Sequence, residues 1–209
     1  MPIAFYKEVS SKVKWAVWKI VESIEDFQDQ LHPSDEDSVG SNLVEKKKLE
    51  TIATRLLVKK LVEDSGNTYY GLYKDEHGKP HLTGHDEIYV SISHAYPYAA
   101  AIIDFSEPTG IDIEARREQI FRIKHKFLSP EEMQHQDDID HLTIIWAAKE
   151  TLYKIHGRKK LLFKSELKVT FEHDQGLIGR IILPDQIFSY ELEYQRIADH
   201  WLVFKTGIL

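Results

Sequence analysis

Two acidic residues alternate with two isoleucines in the sequence GIDIE at residues 110–114. In a β-strand, residues two apart share a face, so the isoleucines would face the core and Asp112 and Glu114 would face away together. Carboxylate oxygens are ligands that Mg²⁺ prefers, with substrate phosphates and water completing its coordination. The segment therefore predicts either a divalent-cation site or an ordinary amphipathic strand with a solvated acidic face.

A third acidic residue lies on a predicted helix together with two lysines. At about 100° per residue, Lys149 falls inside the apolar stripe of this helix, whereas Glu150 and Lys154 lie side by side at its edge. A lysine inside an apolar stripe is costly unless its ammonium is paired. Glu150 and Lys154 would either face a cleft, where a carboxylate and an ammonium can do chemistry, or form a surface ion pair worth about 0.3–0.5 kcal/mol.

Several lysine, histidine and serine side chains in the N-terminal half could bind phosphate oxygens. Lys79 precedes Pro80 in a predicted turn, His94 follows Ser93 at the end of a predicted strand, and residues 46–48 are three consecutive lysines. Each has a plainer alternative, which is an exposed hairpin, a structural histidine or a solvated basic helix face. Together with the carboxylates they indicate metal-dependent chemistry on a phosphate compound, without specifying the substrate.

Both strands and helices are predicted to carry these residues. Hydrophobic periodicity predicts strands at 12–20, 87–94, 98–105 and 110–114, helices at 41–63, 119–126 and 140–157, a helix start at 129–132, and further strands from about residue 165. Ser41, Ser129 and Asp140 are the predicted helix caps, and Glu132 fits a capping box. Since both halves, divided near residue 107, carry helices and then strands, the order predicts an α+β fold.

Composition excludes several classes of protein. The chain has 209 residues, of which 42% are hydrophobic and 29% are charged, so a packed core is expected. The absence of cysteine excludes disulfides, thiolate metal sites and a cysteine nucleophile, and it fits a reducing compartment. A net charge of −7 argues against nucleic acid as a partner. No membrane span or signal peptide is recognisable, so we expect no membrane association and a cytoplasmic location.

Five motifs in order resemble those of the 4′-phosphopantetheinyl transferase superfamily. Three of them are GIDIE at 110–114, Phe127-Leu128-Ser129 with Glu132, and Trp146-x-x-Lys149-Glu150-x-x-x-Lys154. Gly78-Lys79-Pro80 and Ser91-Ile92-Ser93-His94 resemble motifs of the longer, single-chain branch that activates surfactin synthetase and similar carrier proteins. The likeness extends over about residues 43–169, and it departs from the family at 157–161, where GRKKL replaces a Gly-x-Gly-Leu turn.

The resemblance implies an activity and an architecture. The family moves the 4′-phosphopantetheine arm of coenzyme A to a serine of an apo acyl or peptidyl carrier protein, needs Mg²⁺, and releases adenosine 3′,5′-bisphosphate. Its longer members are pseudo-dimers of two similar α+β halves, with the active site in the cleft between them. Residues 1–107 would supply adenosine and phosphate contacts, and residues 108–209 the metal site and catalytic helix. A pseudo-dimer has no need to self-associate, so we expect a monomer.

The resemblance also implies roles for individual residues. The implied Mg²⁺ ligands are Asp112, Glu114 and Glu150. The implied catalytic residues are Glu150, as the base for the carrier serine directly or through water, and Lys154, which would contact the phosphate and stabilise the leaving group. The implied coenzyme A contacts are Lys79 and Pro80 at the adenosine end, Ser93 and His94 at the phosphates, Lys154, and Lys48 or a neighbour at the 3′-phosphate.

Docking of an acidic carrier protein on an acidic chain would need a local basic patch. The candidates for this patch are Arg116, Arg117, Arg122, Lys124 and Lys126. Two alternatives to the transferase stay open. One is a non-catalytic module of the same fold that binds coenzyme A or a carrier protein, and the other is a Mg²⁺-dependent pyrophosphatase acting on a nucleotide.

Overall fold

The computed structural model describes residues 3–27, 30–40 and 44–209. Contacts within the chain divide it into two units, Met1–Thr109 and Gly110–Leu209. Each unit contains an antiparallel sheet with a long helix packed against it, so the predicted α+β class with two sheet-plus-helix halves is confirmed. The roles that the sequence assigns to the two halves remain predictions.

The N-terminal unit is built on a four-stranded sheet. Its strands and helices are β1 (Ile3–Glu8), β2 (Val13–Lys19), α1 (Pro33–Glu36), α2 (Glu45–Glu63), β3 (Leu72–Lys74), β4 (Pro80–Leu82), β5 (Tyr89–Ala95) and β6 (Tyr98–Asp104). The sheet order is β1-β2-β6-β5, and β3 and β4 form a separate hairpin. The inner strands β2 and β6 are almost wholly buried, which explains why they are nearly continuous apolar runs. Helix α2 packs on β2, β5 and β6.

The C-terminal unit is built on a five-stranded sheet. Its elements are β7 (Ile111–Ala115), α3 (Ile120–Phe127), α4 (Ile139–Ile155), β8 (Leu167–Phe171), β9 (Gly176–Leu183), β10 (Gln186–Ile197) and β11 (His200–Ile208). The sheet order is β7-β11-β10-β9-β8, and every neighbouring pair is antiparallel. Helix α4 packs against β7, β8, β9 and β11. This packing places the helix that carries Glu150 and Lys154 directly on the strand that carries the other two acids.

Several elements differ from the sequence-based expectation at their ends. The predicted helix start at 129–132 is only a 3-10 turn, Glu131–His135. The cap of α4 is Asp138 rather than Asp140, and its Oδ1 accepts hydrogen bonds from the backbone N–H groups of Asp140 at 2.9 Å and His141 at 3.1 Å. Ser41, the predicted cap of α2, lies outside the described residues. Strand β1 was not predicted, because most of its side chains are exposed and carry no buried alternation.

A bilayer-crossing helix is absent from the described residues, since none of their helices combines sufficient length with sufficient apolarity.

Candidate active site

Strand β7 and helix α4 approach each other closely at Gly110. A Cβ atom at Gly110 would lie 2.5 Å from the Thr151 carbonyl oxygen and 2.9 Å from Cγ1 of Ile155, distances too short for any side chain. Because residues two apart on a strand share a face, Asp112 and Glu114 lie on the same face as Gly110 and are directed toward α4. The glycine thus permits the contact that brings the acids to the helix.

Asp112 is buried and forms an ion pair with Lys154. The ammonium Nζ of Lys154 lies 2.7 Å from Oδ1 of Asp112 and also donates to the Ile111 carbonyl oxygen at 2.8 Å. Asp112 is 4% exposed and Lys154 is 7% exposed. Two plainer alternatives are therefore wrong: β7 has no solvated acidic face, and Lys154 is not half of a surface ion pair with Glu150.

Glu150 lies one helical turn before Lys154 and is partly buried. Among the described residues no group donates a hydrogen bond to its carboxylate. Burial and, to a smaller extent, the negative charge of Asp112 raise the pKa of Glu150 to about 7, against the opposing charges of Lys154 and Arg158. Glu150 is thus a carboxyl group that changes its protonation state near neutral pH.

Glu114 is the third acid of the group. The indole Nε1 of Trp146, on α4, donates a hydrogen bond to Oε1 of Glu114 at 2.9 Å. Burial, followed by the charges of Asp112 and Glu150, raises the pKa of Glu114 to about 7, against the opposing effects of the Trp146 hydrogen bond and the charge of Lys154. The three carboxyl groups therefore repel one another, and Lys154, which forms an ion pair with Asp112, offsets part of that repulsion.

The chemistry of these three acids fits a hard divalent cation. They supply only carboxylate oxygens, and their mutual repulsion and raised pKa values are what a bound cation would relieve. As the side chains are placed, however, the described residues contain no group of three or more acidic or histidine side chains arranged to hold a metal ion. Binding of Mg²⁺ by Asp112, Glu114 and Glu150 therefore stays a prediction.

Lys149 belongs to a different, structural network. Its Nζ donates to Oε2 of Glu132 at 2.7 Å, to the Phe127 carbonyl oxygen at 2.6 Å and to the Phe163 carbonyl oxygen at 2.9 Å, and the side chain is fully buried. Oε1 of Glu132 accepts from the backbone N–H of Val169 at 2.9 Å. Burial lowers the pKa of Lys149, while its contact with Glu132 opposes that change. The capping role predicted for Glu132 is thus only part of its function in the fold.

The turn at 157–161, where the sequence departs from the motif it otherwise resembles, follows α4. Gly157 has φ of +81° and Arg158 has φ of +58°, so a side chain with a positive charge occupies a left-handed position that usually favours glycine. The charge of Arg158 lowers the pKa of Glu150. Sequence reasoning identified this turn as unusual but did not connect it with Glu150, because that proximity depends on how the chain folds back after the helix.

The predicted coenzyme A contacts of the N-terminal unit lie on three elements. Pro80 is buried at the start of β4, and the backbone N–H of Lys79 donates to Oδ1 of Asp75 at 2.9 Å within the turn before it. Ser93 is buried in β5, and His94 is half-buried near the end of that strand. Lys48, on α2, lines a cavity whose other lining residues are Ile24, Leu31, Glu36, Val39 and Ile52.

The structure brings His94 into contact with α2 through Lys47, a member of the basic run at 46–48, and through Glu50, which the sequence analysis did not single out. Nζ of Lys47 lies 2.7 Å from Nε2 of His94, and Oε2 of Glu50 lies 3.2 Å from its Nδ1. The only signal in the sequence was the basic run at 46–48, and Glu50 had none, because an acid on a helix reveals its partner only through tertiary contact.

Comparison with known protein families finds a match that covers most of the C-terminal unit. Residues 108–204 match the model of the 4′-phosphopantetheinyl transferase superfamily. The matched segment contains Asp112, Glu114, Glu150 and Lys154. No curated protein matches the chain.

Proposed function

We propose that this protein transfers the 4′-phosphopantetheine arm of coenzyme A to a serine of an apo carrier protein. The observation that carries the proposal is the convergence of Asp112, Glu114, Glu150 and Lys154 within the segment that matches the superfamily. A family match concerns the sequence alone, which does not say whether these four side chains lie apart in the folded chain. They share one partly buried region of high negative charge density.

Glu150 is the residue we assign as general base. Without a cation, burial together with the charge of Asp112 raises the pKa of Glu150 to about 7. Bound Mg²⁺ would lower that pKa, so Glu150 would be ionised at neutral pH and able to accept a proton. In the proposed step Glu150 accepts the proton of the carrier serine, directly or through water, as the serine oxygen attacks the phosphorus that bears the pantetheine arm. A new O–P bond forms, the pyrophosphate O–P bond breaks, and adenosine 3′,5′-bisphosphate leaves with the electron pair.

Lys154 is the residue we assign to the developing negative charge. Its ammonium has three N–H groups, and the described acceptors Ile111 and Asp112 take two of them. One N–H is then available to a phosphate oxygen. Because the ion pair with Asp112 holds the ammonium in place within a buried environment, its interaction with a phosphate oxygen is stronger than it would be in water.

Mg²⁺ is the proposed cofactor, and Asp112, Glu114 and Glu150 are its proposed ligands. When bound, the ion would neutralise negative charge on the pyrophosphate. The hydrogen bond from the Trp146 indole to Oε1 fixes the orientation of the Glu114 carboxylate. The other oxygen of this carboxylate, Oε2, is the proposed metal ligand.

The remaining parts of the proposal concern binding. We propose Lys48, Lys79, Pro80, Ser93 and His94 as coenzyme A contacts. We also propose that the chain belongs to the longer single-chain branch, is a monomer and is cytoplasmic.

For the docking site of the carrier protein we propose the exposed basic face of α3 together with the residues that precede this helix. Arg116 and Lys124 pair with Asp140 and Asp137, whereas Arg117, Arg122 and Lys126 are exposed. A cavity beside Glu114 is lined by Arg117, Ile120, Ile123 and Trp146, among other residues, next to this face.

The test is intact-mass spectrometry of an apo acyl carrier protein incubated with the protein, coenzyme A and Mg²⁺. We expect a mass gain of one phosphopantetheinyl group, which disappears when EDTA is added. Glu150→Gln should abolish the gain while coenzyme A binding is retained, and Glu118→Gln, an exposed acid before α3, is the matched control.

Other outcomes distinguish the alternatives. Coenzyme A binding without modification of either an acyl or a peptidyl carrier would support the non-catalytic module. Release of free phosphopantetheine without any carrier would support the pyrophosphatase. Full activity of Glu150→Gln would refute the assignment of Glu150 as the base while leaving the transferase itself intact.

A further inference from the structure

A turn rich in basic residues follows α4, and the proposed reaction leaves its charges unused. Residues 155–164 read IHGRKKLLFK, with four cations and no acid, in a chain whose net charge is −7. Residues 158–162 are called the basic turn below. Lys159 and Lys160 are exposed, and neither forms an ion pair or a side-chain hydrogen bond with another residue that the structure describes. Their positive charges are therefore available to a partner.

Two anchors hold the basic turn in place. At its start, the backbone N–H of Arg158 donates to the Tyr153 carbonyl oxygen at 3.0 Å, and the Tyr153 hydroxyl donates to the Arg158 carbonyl oxygen at 2.8 Å. Just beyond its end, the Phe163 ring packs on the rings of Trp146 and Tyr153, with centroids 5.4 and 5.6 Å away. The side chains between these anchors are thus presented on an ordered segment, so little conformational entropy is lost when a partner binds.

Arg158 places one charge of the basic turn beside the proposed general base. It follows the end of α4, and its charge acts on the carboxyl group of Glu150. Its φ of +58° is a left-handed conformation that glycine adopts without steric cost and that other residues rarely adopt. A charged side chain thus occupies a strained backbone position next to the proposed site, and strain of this kind is concentrated at functional positions.

An exposed leucine accompanies the cations. The side chain of Leu162 is 59% exposed, and its backbone N–H donates to Oε2 of Glu166 at 2.6 Å, which fixes the position from which the side chain projects. Cations beside an apolar side chain complement a surface that carries acidic and apolar side chains together, such as one face of an acidic amphipathic helix. A nucleic-acid backbone offers negative charge but no apolar counterpart for the leucine, so an acidic protein fits better.

We infer that the basic turn is a docking surface for the acidic carrier protein, in addition to the one proposed at α3. Lys159 and Lys160 contact acidic side chains of the carrier, Leu162 contacts an apolar one, and Arg158 contacts the acidic side chain nearest the accepting serine. The inference rests on the proposed function and deepens it. Because that serine must reach Glu150, the part of the carrier around it must approach α4 near the basic turn.

The experiment is steady-state transfer by the full chain to an apo carrier protein that the parent modifies, with KM measured for the carrier and for coenzyme A. We expect Lys159→Glu with Lys160→Glu to raise KM for the carrier about tenfold and to leave KM for coenzyme A within about twofold of the parent. Lys12→Glu with Lys19→Glu is the matched control, because it changes the net charge equally at two exposed lysines. The tenfold effect should shrink as salt is added, since exposed charges are screened.

Two further measurements test the contacts in ways that a loss of folding could not imitate. Arg158→Gly removes the charge together with the strained side chain, so KM for the carrier should rise about fivefold while the midpoint of urea unfolding does not fall. A carrier variant with Lys in place of an acidic side chain beside the serine should be a better substrate for Lys159→Glu with Lys160→Glu than for the parent, because the reversed charges attract again.

The outcomes separate this inference from the proposed function. If the parent transfers and Lys159→Glu with Lys160→Glu leaves KM for the carrier unchanged, the inference is overturned and the transferase stands. An equal rise in KM for coenzyme A would assign the basic turn to the nucleotide and overturn it as well. So would binding to vesicles of phosphatidylcholine and phosphatidylserine that the double variant abolishes while KM for the carrier is unchanged. A parent that modifies neither an acyl nor a peptidyl carrier would overturn both.

Discussion

The carboxyl group of Glu150 should make the folded protein less stable as the pH rises. Its pKa is raised from 4.5 to about 7 by burial and by the charge of Asp112. Between these two values the folded state binds more protons than the unfolded state, so the free energy of unfolding falls with increasing pH. Glu150→Gln removes the group that titrates and keeps its shape, and the variant should therefore gain stability over the parent at alkaline pH.

The size of the effect follows from the two pKa values. One pKa unit corresponds to about 1.4 kcal/mol. The raised pKa of Glu150 therefore lowers the free energy of unfolding by about 3 kcal/mol at pH 8 and by about 1 kcal/mol at pH 5. The stability advantage of Glu150→Gln should accordingly grow by about 2 kcal/mol between pH 5 and pH 8. Mg²⁺ should raise the free energy of unfolding of the parent at pH 8, because an ion that binds the folded state and not the unfolded state stabilises the folded state.

The assay is urea-induced unfolding at pH 5 and pH 8, with and without Mg²⁺, for the parent, Glu150→Gln and Glu118→Gln. Tryptophan fluorescence reports on both units, since Trp146 and Trp201 lie in the C-terminal unit and Trp15 and Trp18 in the N-terminal unit, so the effect of Glu150 is obtained from the difference between variant and parent. Glu118 is exposed, so its substitution should leave both the pH dependence and the Mg²⁺ effect unchanged.

Two results would refute this reasoning. If Glu150→Gln differed from the parent by the same amount at both pH values, the Glu150 carboxyl group would not be titrating between them. If Mg²⁺ stabilised the parent and Glu150→Gln equally, Glu150 would not contribute to cation binding, and Asp112 and Glu114 would have to be tested in its place.

Three further predictions concern packing and docking. Lys149→Met should lower the free energy of unfolding by about 3–5 kcal/mol, because it leaves a buried carboxylate unpaired; a loss below about 1 kcal/mol in urea unfolding would contradict this. Gly110→Ala should destabilise by about 1–3 kcal/mol and slow transfer, because its Cβ would lie 2.5 Å from a carbonyl oxygen of α4; parent-like unfolding and transfer rates would be the adverse result. Arg117→Glu with Arg122→Glu should raise KM for the carrier protein about tenfold and leave KM for coenzyme A unchanged, with Lys12→Glu as the control; an equal rise in both KM values would argue against docking at α3.

Most of the regular elements could be predicted from periodicity, because each has an apolar pattern of its own. Strands β2, β5, β6 and β7 and helices α2, α3 and α4 lie within a few residues of the predicted ranges. Strand β1 could not be predicted in this way, since it pairs only with β2 at the edge of the sheet and its side chains are mostly exposed. The cap of α4 was also misplaced, because Asp138 and Asp140 are chemically equivalent in the sequence and differ only in backbone conformation.

Residue types and their spacing were sufficient to identify which groups could act: paired acids on a strand, an acid and two lysines on a helix, and an order of motifs that resembles a transferase superfamily. The partners of these groups became known only from the folded chain. Lys154 pairs with Asp112 rather than Glu150, and Lys149 pairs with Glu132. The physical reason is that periodicity reports which face of an element is apolar, whereas the pairing and the pKa of a charged group depend on burial and on charges brought close from distant parts of the chain.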